Sequence, residues 1–255
     1  MKRCAVAALL VVGVALSQPA LAAPVLYVYG PGGPLPAMKE AASVFGKQHG
    51  VDVIVTGGPT PQWINHAKAN ADLIFSGSET MMSDFIAAMP QIDPATVQPL
   101  YLRAAAILVR PGNPEHITGF ADLLKPGHRI LVVNGAGQQG LWEDVAGRQG
   151  NIADVRAFRS NIAVVVTNSA QARTAWIKNK SLDAWLIWTI WQKANPTLAD
   201  LVPIDPDHAI FRDTGIALTR IGEKNPQATS FVAFLNSPQG AAIFAKWGWI
   251  VPPHA

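Results

Sequence analysis

The sequence predicts an α/β protein of two lobes joined by two crossover strands. Three observations carry this expectation. Short apolar runs alternate with segments of helical period, and the turn after each early run is rich in Gly, Pro, Ser or Thr. A uniformly apolar segment at 99–109 divides the chain, and 201–211 offers a return. Alternation of this kind builds parallel sheets flanked by helices, with ligands held at the carboxyl ends of the strands. The lobes then comprise 23–103 with 212–255, and 104–211, behind a leader at 1–22.

The leader reads from Lys2 and Arg3 through an apolar run at 5–16 to Ala20-Leu21-Ala22, the pattern of an export signal cut after Ala22. Its apolar run is shorter than the roughly 20 residues of a spanning helix. The single cysteine, Cys4, falls inside it. An exported chain without disulfides suits a large, well-cored periplasmic protein. Lys+Arg number 20 against 17 Asp+Glu, and removing Lys2 and Arg3 leaves 18 against 17, a net charge of +1. The basic residues form neither a run nor a stripe, so nucleic acid is not expected as a partner.

In chain order, 25–29 is a strand, followed by a Gly/Pro turn at 30–34 and a helix with Leu35, Met38, Ala42 and Phe45 on one face. A second strand at 51–55 leads through 57–61 into a helix, with Thr60 as N-cap and Pro61 as its first residue. The third strand, 71–75, ends in Ser76-Gly77-Ser78-Glu79 before a helix through Met81, Met82 and Phe85. After the apolar crossover come a loop at 110–114, a short helix at 118–124 and a strand at 129–134. That strand enters a glycine-rich turn, 135–140, and a helix from Leu141. Strands are expected at 155–158 and 163–167, then a helix from Asn168-Ser169 to Lys178. The segment 181–193 reads as a strand to about Trp188 and then a helix. A strand at 211–219 and two helices opened by Asn225-Pro226 and Ser237-Pro238 complete the chain.

Small-residue turns that open helices leave unpaired N–H groups where the helix dipole favours an anion. In the second lobe the candidates are Gln138, Gln139 and Gly140 at the glycine turn, with Asn168 and Ser169 at the next helix start. In the first lobe they are Thr60, Ser76 and Ser78. Ser78 is the stronger ligand hydroxyl, because Ser76 and Glu79 fit a capping box. Arg103 opens the crossover and can present a guanidinium to a carboxylate or phosphate. Trp188 is a candidate cleft wall, and Arg212 is expected to pair with its neighbour Asp213.

Gly135, Gly137 and Gly140 also spell the G-x-G-x-x-G of dinucleotide sites, with Asp154 near the place of a ribose-binding acid. That reading wants the motif in the first unit of a cytosolic chain; here it lies deep in an exported one. The six histidines show no metal-ligand spacing and no serine sits in a Gly-x-Ser-x-Gly elbow. The expectation is a binding protein, with no catalysis, metal or cofactor.

Several stretches carry a family resemblance: VLYVYGPGG (25–33), ADLIFSGSE (71–79), ILVRPGNP (107–114), ITGFADLLKPG (117–127) and FVAFLNSPQGAAIFAKWGW (231–249). Through them nearly the whole mature chain resembles type II periplasmic solute-binding proteins of the molybdate- and sulfate-binding kind. VNGAGQQGLWED (133–144) with DAWLIWTIW (183–191) looks most like the accessory colonization factor proteins. The resemblance implies a type II, two-lobed binding-protein fold that closes on a small anion: an oxyanion, or an organic acid such as citrate or a phosphorylated three-carbon acid. It also implies an ABC permease as partner. One departure stands out: the first loop offers only Gly and Pro at 30–34, so contacts near Gly33 would come from backbone N–H groups. The alternative within this resemblance is a dimeric surface antigen or adhesin that keeps the fold.

Overall fold

The computed structural model describes residues 23–252, so the leader expected at 1–22, with Cys4, lies outside the described residues. The strands are β1 (Val25–Gly30), β2 (Asp52–Gly57), β3 (Leu73–Phe75), β4 (Gln98–Val109), β5 (Ile130–Val133), β6 (Ile162–Val166), β7 (Ala184–Trp188), β8 (Asp200–Pro203) and β9 (Phe211–Leu218). The helices are α1 (Leu35–His49), α2 (Ile64–Asn70), α3 (Glu79–Ala88), α4 (Leu141–Gly147), α5 (Ile152–Asn161), α6 (Ser169–Lys178), α7 (Thr189–Ala194), α8 (Pro226–Leu235) and α9 (Pro238–Lys246).

The strand order is β2-β1-β3-β9-β4-β7-β5-β6, with β8 also on β4. Pairing is parallel at β1/β2, β1/β3, β5/β6 and β5/β7. It turns antiparallel where the crossovers enter. The first part of β4, through Ala104, pairs with β9; from Ala105 onward it pairs with β7 and β8. One continuous strand thus belongs to two groups of strands, and the pairs Arg103↔Arg212 and Ala104↔Phe211 mark where it changes company. This is the mixed α/β, type II architecture expected.

Local chemistry explains most elements. α1 buries Ala37, Met38, Ala41, Ala42 and Phe45, the stripe that a 3.6-residue period produces. It stops at Gly50 in the left-handed conformation. β7, fully buried with sequence AWLIW, packs Trp185 and Trp188 inside the core, where Trp185 meets Trp176 of α6. A second apolar cluster joins Trp63, Met81, Met82 and Phe85 to Tyr29 and Ile74.

Three local expectations are corrected. Residues 155–158 are helical: α5 runs from Ile152 to Asn161, opened by the Asn151 side chain accepting from the Ala153 N–H. Four residues of mixed apolarity fit a strand by composition, but the cap fixes the longer helical frame, in which Phe158 alone of the apolar residues is buried. Thr60 caps nothing: a 3-10 turn at Thr60–Gln62 breaks at Trp63, whose φ of −128° separates it from α2. Trp63 is anchored there by burial and by its Nε1 donating to the Gly58 carbonyl at 3.2 Å. The helix expected at 118–124 shortens to a 3-10 turn at Phe120–Leu124.

Candidate functional site

The loops that leave the carboxyl ends of β1, β2, β3, β5 and β6 converge on a cleft of about 350 Å³. One wall comprises Pro31, Gly33, Pro59, Thr60 and Gly77; the other comprises Ala136, Gly137, Gln138, Thr167, Asn168 and Ser169, with Met81 and Trp191 completing an apolar lining. Arg103 of β4 reaches the cleft between the two walls.

Arg103 is only 3% exposed. Its guanidinium carbon lies 4.4 Å from the Trp188 ring centroid and 5.7 Å from that of Trp249, so two indole faces support the cation. Nη2 donates to the Gly77 carbonyl and lies 3.5 Å from the Gly137 carbonyl, while Nε is buried without a partner. Burial, and then the charge of Arg212 beside it, lowers its pKa to about 9, which leaves it protonated at neutral pH. Among the described residues no carboxylate forms an ion pair with it. Asp213 and Glu79 favour the cation only through space; a buried cation with no carboxylate bonded to it is costly, and an anion in the cleft would relieve that cost.

The second wall is built around the start of α6. Asn168 is the N-cap, accepting from the Gln171 N–H at 3.0 Å, and the Ala172 N–H bonds the Asn168 carbonyl. The N–H groups of Ser169 and Ala170 are then the helix-start donors left at the cleft. Ser169 Oγ accepts from Gln138 Nε2 at 2.6 Å, which leaves its own proton to give. Gln138 is 3% exposed and its Oε1 is buried without a partner. The preceding turn explains why Gln138 is inside: residues Ala136–Gln138 form a 3-10 turn, with Ala136 at φ 49°, which turns Gln138 inward and Gln139 out to solvent.

Of the residues named from sequence, Gly33, Thr60, Arg103, Gln138, Asn168 and Ser169 line the cleft. Ser76, Ser78, Gln139 and Gly140 do not. Ser78 is the N-cap of α3, fully buried and accepting from the Met81 N–H at 3.1 Å, so the capping role falls on it and not on Ser76. Ser76 instead ties β3 to β9: its Oγ accepts from the Gly215 N–H at 3.2 Å and its carbonyl from the Thr214 hydroxyl. Gly140 is the N-cap of α4 at φ 71°, a conformation that favours glycine. Trp188 is fully buried behind Arg103, and Trp191 takes the place expected of it at the cleft. Gly77, Met81 and Trp191 were not expected as ligand contacts, and Gly137 entered only as part of the glycine motif; an isolated glycine or an apolar side chain gives no chemical flag in a sequence.

Arg212 does not pair with Asp213. It reaches Asp144, in the first turn of α4, at 2.7 Å. Asp213 Oδ1 is buried without a partner, and its carboxyl is pushed up to about 6, by burial first and then by the charge of Glu79. Asp154 sits in the first turn of α5 rather than at the end of a strand, so the arrangement a dinucleotide site requires is not formed.

A family model described as bacterial extracellular solute-binding protein matches residues 26–250. Among solved structures, PEB3 bound to L-phospholactate is 34% identical, with a TM-score of 0.84 over 90% of this chain and 100% of that one. Peb3 from Campylobacter jejuni gives 33% identity and a TM-score of 0.83 over the same shares. The sulfate-binding protein SubI from Mycobacterium tuberculosis H37Rv shares the fold at 17% identity, with a TM-score of 0.74 over 90% of this chain and 87% of that one. So does the periplasmic molybdate-binding protein of Azotobacter vinelandii, at 18% identity and a TM-score of 0.65 over 89% and 100%. A search of curated protein sequences finds no match.

Proposed function

The chain belongs to the bacterial extracellular solute-binding protein family, and from that premise we propose that it captures a short organic acid carrying a phosphate or carboxylate group. The observation that carries this reading is Arg103, a buried cation at the cleft with no ion-pair partner among the described residues. Arg103 holds one anionic group. The Ser169 and Ala170 N–H groups and the Ser169 hydroxyl take a second, with Gln138 fixing the serine and Asn168 holding the helix start. Gly33 and Thr60 supply contacts from the facing wall.

Two features favour an organic acid over a bare oxyanion. The cleft of about 350 Å³ falls in the range of small-molecule sites. Pro31, Pro59, Met81 and Trp191 give it apolar surface that a sulfate would not use. PEB3 holds L-phospholactate, an acid of this kind. In this reading the lobes 23–103 with 212–255 and 104–211 close about β4 and β9, the mature protein works in the periplasm, and an ABC permease takes the solute from the closed form. The protein binds its solute and does not transform it.

A thermal-shift panel of L-phospholactate, 3-phosphoglycerate, citrate, sulfate and molybdate tests the proposal. A ligand at about a hundred times its dissociation constant adds roughly 2.7 kcal/mol of stability. The organic acids should shift the transition and sulfate much less. A flat response to all five would end the anion reading.

A further inference from the structure

Three glycines press on the Arg103 guanidinium, each from the loop after a different strand: Gly33 after β1, Gly77 after β3 and Gly137 after β5. A Cβ added at Gly33 would lie 3.1 Å from Nη1; one at Gly77 would lie 3.2 Å from Nη2, and one at Gly137 3.0 Å from the same nitrogen. None of the three needs to be glycine for its backbone. Gly137 has φ −72° and ψ 16°, open to any residue, and Gly33 and Gly77 are also outside the left-handed region. What the three positions favour is the absence of a side chain, because a Cβ at any of them would force the guanidinium to give by a few tenths of an ångström.

At Gly137 the requirement reaches further. The same Cβ would lie 3.0 Å from the Gly77 carbonyl oxygen and 3.2 Å from its carbon. The loop after β3 and the loop after β5 flank opposite sides of the crossover, and here they meet backbone to backbone. The guanidinium sits at the junction, with Nη2 on the Gly77 carbonyl and 3.5 Å from that of Gly137. Nη2 is committed to the loops and Nε is buried, so Nη1 is the nitrogen free for a solute.

We propose that Arg103, Gly77 and Gly137 form a clasp that holds the two walls of the cleft together, and that an anion on Nη1 locks it. The cation draws two carbonyl dipoles from opposite walls toward one point. An anion on the other side of the guanidinium stops it rotating away from them and polarises the same hydrogen-bond chain. Solute then leaves only when the clasp opens. The locking step rests on the anion-capture reading; the clasp itself is a property of the ligand-free protein.

Gly137→Ala is the test, because alanine accepts the local φ and ψ and adds only the obstructing Cβ. Gly147→Ala, in α4 with nothing nearer to its Cβ than 3.7 Å, is the control. In ligand-free protein, hydrogen exchange of the amides at 76–78 and 136–138 should quicken at least tenfold in Gly137→Ala and not in the control. L-phospholactate should dissociate at least tenfold faster from Gly137→Ala. Wild-type exchange at 76–78 in a folded Gly137→Ala protein would overturn the clasp. Arg103→Lys keeps the charge but cannot span the two carbonyls; if Gly137→Ala fails to fold, it should show the same quickened exchange, and protection at the wild-type level there would overturn the clasp equally. Should the wild type not bind L-phospholactate at all, the exchange measurement still decides the clasp, and only the locking step falls with the anion reading.

Discussion

Arg103 carries its charge into the interior on two tryptophan faces and two backbone carbonyls, with no carboxylate bonded to it and Asp213 and Glu79 acting only through space. Charge-assisted hydrogen bonds are worth about 1.5–3 kcal/mol each. Ser169→Ala should therefore weaken solute binding about tenfold by calorimetry; because it also strips the buried Gln138 Nε2 of its acceptor, it should lower the ligand-free melting temperature as well. Ser78→Ala should act on stability alone. It removes the α3 cap, at a cost of about 1 kcal/mol of stability, and leaves affinity unchanged; a loss of affinity there would reinstate Ser78 as a ligand contact. Asp213 gives a pH signature. Its folded-state carboxyl holds a proton up to about 6, whereas an unfolded aspartate ionises near 3.9. The folded protein thus binds more protons between those values, and this residue's share of stability is lost as pH rises through about 6. Asp213→Asn should melt higher than wild type at pH 7.5, with the advantage gone at pH 4; a constant difference at both would contradict the assignment. Polar residues such as Arg103 and Ser169 were legible as candidates from their types and places in the chain. Which of Ser76 and Ser78 caps the helix was not, because both precede it within one turn and only the chain's exact entry angle decides.

The strand–turn–helix units are the level at which the sequence was most informative, because apolar runs and capping residues are local. Asn168, Asn225 and Ser237 all cap the helices expected of them. The glycine turn was legible as an anion-type turn, but the inward rotation of Gln138 and outward rotation of Gln139 follow from a 3-10 turn with a positive φ at Ala136, which residue types do not announce. The misread helix α5 shows the opposite limit: a four-residue window lacks the length to separate the two periods, and the Asn151 cap lies outside it. Because α6 both caps on Asn168 and presents its first N–H groups to the cleft, Asn168→Ala should act twice. It should cost about 1 kcal/mol of stability and also weaken solute binding. A stability loss with unaltered affinity would separate α6 from the site.

Across the whole molecule, β4 and β9 place one buried arginine where the loops from both sets of parallel strands can reach it. The alternation of elements and the long apolar crossover made that architecture readable. The cleft's composition was less so, since more than half of its lining is glycine, proline, methionine or tryptophan brought from distant turns; outside the lining, the Arg212–Asp144 pair likewise joins residues 68 positions apart. On the proposed reading, the chain is an exported binding protein whose cleft closes on a short organic anion held by Arg103. Calorimetric titration of L-phospholactate into the wild type and into Arg103→Gln tests it most directly. Saturable one-to-one binding to the wild type is expected, with at least a thirtyfold loss, about 2 kcal/mol, in a folded Arg103→Gln protein. Equal affinity in the two, or no heat with any organic acid of the panel, would contradict it.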